Sequence, residues 1–257
     1  MFKKKTTAIQ QQGKNDAFNT SISDLMAGML AVFILALCYF MINFGQITAE
    51  RKEALDKVTH SNEIRKKLLT NIEDTINDEL KKSNLPIKVV ADKDRGILPL
   101  PEGIFFESGK AEIKEEGKVI IQVLGQALNE ALEKKEFADT IDTIFIEGHT
   151  DDVAMSKNSK FETNWQLSTE RAIKTWEELH GIPGIDFKNR INKNGQPFFS
   201  CSGYAETRPR PDAIVDKERD SEEEKARKRQ INRRIDIRIT MLPPTEDDLK
   251  DGNEKGK

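Results

Sequence analysis

The stretch "TIDTIFIEGHTDD", residues 140–152, decides the fold. Its apolar run ends at Gly148 and passes into polar residues, so it reads as a strand running into a loop. Working toward the C-terminus, "NWQLSTERAIKTWEELHG" (164–181) has helical periodicity, with Gly181 placed to stop the helix. "PFFSCSGYAE" (197–206) is strand-like, and "SEEEKARKRQINRR" (221–234) is helical. In "RRIDIRITM" (233–241), Ile235, Ile237 and Ile239 alternate with Asp236, Arg238 and Thr240, as in a half-buried strand. Working toward the N-terminus, "AEIKEEGKVIIQVLGQALNEALEK" (111–134) is helical. Before it, "IKVV" and "GILPL", separated by the polar "ADKDR", read as a strand pair opening a domain. The order β-β-α-β-α-β-α-β predicts an α/β domain, an α+β sandwich of helices on one sheet, over residues 85–242.

The rest of the chain is of another kind. The protein has 257 residues, a net charge of -3 and a mean hydropathy of -0.61, so most of it is hydrophilic. Yet "SISDLMAGMLAVFILALCYFMINF" (21–44) is intensely apolar, and Leu25–Phe44 carries no formal charge. At about 1.5 Å per residue those positions span roughly 30 Å, a bilayer core. Residues 21–46 are therefore expected to be a single transmembrane helix. It is an uncleaved anchor, because only a weak signal-cleavage site follows Phe44. Residues 1–20 are a polar, flexible tail. Lys3, Lys4, Lys5 and Lys14 precede the span and Arg51, Lys52 and Lys57 follow it, so charge favours a cytoplasmic N-terminus only slightly. Residues 47–84 form a helical linker, striped by Leu55, Val58, Ile64, Leu68, Ile72, Ile76 and Leu80. That stripe has two uses: packing on its own domain, or serving as a stalk that pairs with a second copy. Residues 243–257 are charged and expected to be disordered. Cys38 and Cys201 lie far apart and provide no disulfide framework.

The residues suggest no catalytic constellation, so neither an enzyme nor a cofactor is expected. Glu147, His149, Asp151 and Asp152 tempt a metal reading, but no second histidine stands at ligand spacing, and none is expected. "RKRQINRR" is basic, yet "DSEEE" precedes it and "IDIRI" follows, so it reads as a charged helix feeding a strand rather than a nucleic-acid site. Asp151 on the loop and Arg171 on the next helix can face one groove and take a zwitterion, an ammonium with a carboxylate. The alternative is that the two simply pair with each other.

Four ordered motifs, "GHTDD", "NWQLSTERA", "GYAETRP" and "NRRIDIRI", with the lead-in "FFESGKAEI", resemble the OmpA/MotB family of peptidoglycan-binding domains over about residues 85–241. The resemblance implies that cell-wall peptide is bound, with its diaminopimelate side chain held by Asp151 and Arg171, while Asn164 and Leu167 shape the groove. The stretch "VAMSKNSKFET" (153–163) is longer than in OmpA and closer to MotB. A peptidoglycan-binding domain implies a periplasmic C-terminus and a cytoplasmic N-terminus for an inner-membrane protein. A single span with a carboxylate at its cytoplasmic end, "SISDLMAGMLAVF", resembles the B subunits of ion-driven stators, and most of all those of the Zorya anti-phage defence systems. On that resemblance Asp24 carries a translocated H+ or Na+. The partners would be a second copy of the chain and a pentamer of MotA-like A subunits around that dimer. A flagellar MotB-type subunit and a passive OmpA-like wall anchor stay open, as does Asp24 as a mere helix N-cap.

Overall fold

The computed structural model describes residues 2–82, 84, 88–157 and 159–243, with backbone alone for residues 2–19. The expected disorder of 243–257 therefore falls almost wholly outside the described residues, as does Pro86. Two compact units divide the chain, with the boundary between Asp56 and Lys57.

The first unit is helical. Helix α1 is assigned to Phe2–Lys82, so the helix takes in residues expected to form a polar tail. One stretch of it is long and apolar enough to cross a membrane. Its large side chains, among them Leu30, Phe33, Leu35, Phe40 and Phe44, are exposed. With every backbone group bonded inside the segment, such a helix can lie in lipid without unsatisfied polar atoms. Asp24 sits within this helix and not at its first residues, which removes the N-cap role.

The second unit begins with the end of α1. Ile64, Leu68, Leu69, Ile72, Ile76 and Leu80 are buried in the same core as the sheet, while Leu55 and Val58 are exposed. The stripe is thus a layer of its own domain from Ile64 onward. Polar bonds stitch this layer to the segment before the sheet. Asn77 Nδ2 donates to the Val89 carbonyl and Asn77 Oδ1 accepts from the Val89 amide, both at 2.8 Å. Arg65 Nη2 donates to the Asp94 carbonyl at 2.8 Å. With its backbone held by a side chain, Lys88–Val90 has no strand partner, so the expected strand at "IKVV" is absent there. Among the described residues the domain opens with one strand, not two.

The remaining elements are β1 (Ile97–Pro101), α2 (Glu102–Phe105), α3 (Glu115–Glu133), α4 (Lys135–Ala138), β2 (Ile141–His149), α5 (Asn164–His180), β3 (Phe199–Gly203), α6 (Glu222–Asn232) and β4 (Arg234–Met241). The sheet order is β1-β4-β2-β3, with β2 parallel to β3 and both other pairings antiparallel. Strand β1 contains Pro99 and Pro101, which lack an amide donor, and it lies at an edge, where that loss is tolerated. Ile144, Ile146, Ile235, Ile237 and Ile239 line the core; each is worth about 1.5–3 kcal/mol on burial.

The opposite face of β4 is not left to solvent, contrary to the expected half-buried strand. Arg234 and Asp236 are buried and bonded, Nε to Oδ1 at 2.9 Å. Across the β2–β4 ladder, Arg238 Nε donates to Glu147 Oε1 at 3.0 Å. His149 Nε2 lies 3.2 Å from Asp236 Oδ2, and its ring stacks on Tyr204. Buried charges survive only when paired, and this face is a ladder of such pairs. Asp236 is buried, yet the nearby His149 and its bonded Arg234 hold its carboxyl below the ordinary range.

Candidate functional site

Two glycines bring the motifs together. Gly148 at the end of β2 pairs with Gly203 at the end of β3. A Cβ on Gly148 would lie 1.9 Å from the Ser168 carbonyl oxygen, and one on Gly203 would lie 2.2 Å from Thr169 Oγ1. Only glycine lets the first turns of α5 lie this close to the sheet. Ser168 uses the proximity: its Oγ accepts from the Ala205 amide at 3.0 Å. Ala205 holds φ +50, and its carbonyl accepts from the Thr150 amide at 2.9 Å. "GHTDD", "NWQLSTERA" and "GYAETRP" therefore meet at one point.

That junction sets Asp151 and Arg171 on one groove of about 1000 Å³, with Asn164, Leu167, Glu102 and Arg233 also in its wall. Thr163 caps α5, accepting from the Gln166 amide at 3.2 Å. Asn164 Nδ2 donates to the Val153 carbonyl at 3.0 Å, so it holds the loop that carries Asp151. Leu167 is buried with Ala111 and Phe161, which makes it part of the groove's floor.

Asp151 and Arg171 do not bond to each other. Arg171 is 1% exposed. Its Nε donates to the Lys110 carbonyl at 2.8 Å, its Nη2 donates to Glu102, and its guanidinium lies 5.1 Å from the centre of the Phe106 ring. Arg233 stands between the two acids: its Nε is 2.8 Å from Glu102 Oε2 and its Nη1 donates to Asp151 Oδ2 at 2.6 Å. The order Arg171–Glu102–Arg233–Asp151 is a row of alternating charge. Burial pushes the Glu102 carboxyl up, against the pull of Arg171 and Arg233. Burial likewise lowers the Arg171 guanidinium, with Glu102 opposing.

The sequence reading placed Asp151 and Arg171 where they can share a groove and took Asn164 and Leu167 from the family resemblance alone, and all four line this groove. It missed Glu102 and Arg233. Glu102 stands in no motif, and it reaches Arg233 because β1 runs beside β4, with Pro101 opposite Arg234. By sequence Arg233 falls in a charged helix, whereas it stands just past the end of α6 as its C-cap. That basic run is largely spent on the fold, since Lys228 pairs with Asp220, Arg229 with Asp152 and Arg234 with Asp236. The acids of "EGHTDD" divide in the same way. Glu147, His149 and Asp236 do gather ligand atoms within 4.8 Å. Both carboxylates are already claimed by Arg238 and Arg234, so the cluster is built as an ion-pair ladder rather than a metal cage.

Residues 105–220 match the model of the OmpA family. Motility protein B of Bacillus subtilis is 30% identical over 141 residues, 54% of this chain and 46% of that relative. This chain thus spans just under half the length of the curated relative it matches. Among solved structures, a MotB-like protein from Desulfovibrio vulgaris is 21% identical, with a TM-score of 0.43 over 69% of this chain and 96% of its own. The cell wall anchor of the T6SS from Pseudomonas aeruginosa is 20% identical, with a TM-score of 0.44 over 66% of this chain and 97% of its own.

Proposed function

We propose that this protein is the B subunit of an ion-driven stator, held in the inner membrane by residues 21–46 and fixed to peptidoglycan by its OmpA-family domain. The carrying observation is the groove, where Asp151 and Arg171 stand apart on one wall, each fixed by other groups. A diaminopimelate side chain ends in an ammonium and a carboxylate, and the groove offers a partner for each. Peptidoglycan lies outside the inner membrane, so the domain is periplasmic and the N-terminus cytoplasmic.

The second half of the proposal concerns Asp24, the one formal charge between Thr20 and Ala49. An ionisable group inside a span is costly and marks function. Facing a MotA-like A subunit, it takes H+ or Na+ from one side and releases it to the other. The neutral and charged forms differ by several kcal/mol in their preference for a dry surface. Each ion crossing 100 mV supplies roughly 2.3 kcal/mol, which turns a pentameric A ring around a B dimer. The wording "SISDLMAGMLAVF" favours a Zorya-type motor in anti-phage defence. The similarity to motility protein B keeps a flagellar stator as the second reading.

Plating efficiency of phage on cells with the native operon tests this, wild type beside Asp24→Asn at matched membrane levels. Protection lost in the mutant is the expected result. Protection kept would reduce the protein to a passive anchor, and no protection even in wild type would favour the flagellar reading, to be tried by a swimming assay. Asp151→Ala and Arg171→Ala are each expected to weaken peptidoglycan pull-down; unchanged retention by both would move the binding site elsewhere.

A further inference from the structure

This inference rests on the reading of the groove as a site for the zwitterionic end of a cell-wall peptide. It concerns Glu102, which is 5% exposed and lies between Arg171 and Arg233. Its backbone is fixed as well, the amide donating to the Arg233 carbonyl at 3.0 Å. We infer that Glu102 is the specificity-determining residue that makes the groove demand the ligand's ammonium group, and not merely its carboxylate.

The reason is charge balance in a confined space. Arg171 and Arg233 carry two positive charges and Glu102 and Asp151 two negative ones, so the row is neutral as it stands. A ligand that brings a carboxylate alone leaves this row with a net negative charge beside the buried Glu102 and Arg171, which is unfavourable. A ligand that brings a carboxylate and an ammonium leaves the row neutral. Its carboxylate meets a guanidinium and its ammonium meets Asp151. Without Glu102 the two guanidiniums would face Asp151 alone, and a bare carboxylate would be welcome. Asp151 and Arg171 contact the ligand in this scheme; Glu102 sets the charge that they present.

Full-length protein in detergent would be titrated calorimetrically with two muramoyl tripeptides. One ends in meso-diaminopimelate. The other carries 2-aminopimelate at that position, which keeps the distal carboxylate and lacks the distal ammonium. Wild type is expected to prefer the first by about tenfold or more, the worth of a hydrogen-bonded charge. In Glu102→Gln, which keeps the shape and removes the charge, the preference is expected to fall to about threefold or less. Arg233→Gln shifts the balance the other way and is expected to widen it. A role in folding alone would weaken both ligands together and leave the ratio in place, so an unchanged ratio in both variants overturns the inference. If one variant does not fold, the other still decides through the direction of its shift. If wild type binds neither peptide, the groove reading itself fails; if it binds both equally, the groove reading stands and this inference falls.

Discussion

Gly148→Ala is the sharpest test of how the site is assembled. The new Cβ would sit 1.9 Å from the Ser168 carbonyl oxygen and 2.8 Å from its carbonyl carbon. Those are backbone atoms of α5, so no side chain can swing aside. Ordinary contact returns only if the first turns of α5 retreat by more than about 1 Å. That retreat stretches the 3.0 Å bond from the Ala205 amide to Ser168 Oγ. Overpacking costs about 1–3 kcal/mol, and a backbone neighbour puts this case at about 3 kcal/mol. For a domain of this size each kcal/mol moves Tm by about 2–4 °C, so a fall of about 6–12 °C is expected. Thermal melts of the full-length protein in detergent measure it, and peptidoglycan pull-down well below Tm reports on the groove, since Arg171 rides on the same helix. Gly103→Ala is the control, because a Cβ there meets nothing within 4 Å. A Gly148→Ala protein that melts within about 2 °C of wild type would refute the close approach as the organising contact.

Two further outcomes follow from packing and charge. Ile72→Ala, at a side chain 1% exposed, is expected to cost about 2–5 kcal/mol, while Leu55→Ala, at 65% exposure, stays within about 0.5 kcal/mol; equal losses in denaturant titrations would contradict a domain boundary near Lys57. Arg229 Nε donates to Asp152 Oδ1 at 2.7 Å and holds that carboxyl below its ordinary 3.8. The folded-state value is depressed, so the stabilisation is present at neutral pH and lost as pH falls through that value. Arg229→Ala should be less stable than wild type by up to about 1 kcal/mol at pH 7, and the two should converge in acid. A gap that persists at low pH would mean that Arg229 acts by packing instead.

Much of this protein is written locally. The apolar run from Leu25 to Phe44 declares a membrane-crossing length, because the thickness of a bilayer is met by counting residues. The helices at 115–133 and 164–180 follow from periodicity, the one at 222–232 from its run of charged residues, and three of the four strands from short apolar runs. Asp151, Arg171, Asn164 and Leu167 were picked out through the resemblance of their ordered motifs to a known family, and the four line one groove. What stayed hidden depends on partners distant in sequence. "IKVV" has strand composition, but Asn77 takes the backbone of Val89, and no strand forms at Lys88–Val90. The stripe of α1 has one pattern for both of its uses, and only the position of the sheet decides that Ile64–Leu80 face their own core. The polar face of β4 looks solvent-bound by alternation, yet cross-strand register puts Arg238 on Glu147 and Asp236 on His149. Glu102 shows the division most plainly. Spacing allowed Asp151 and Arg171 either to face one groove or to pair with each other, and the resemblance of their motifs to a known family pointed to the groove. That the two never touch, and that Glu102 and Arg233 stand between them, is decided by the pairing of β1 with β4, a contact that acts through space and leaves no period in the chain.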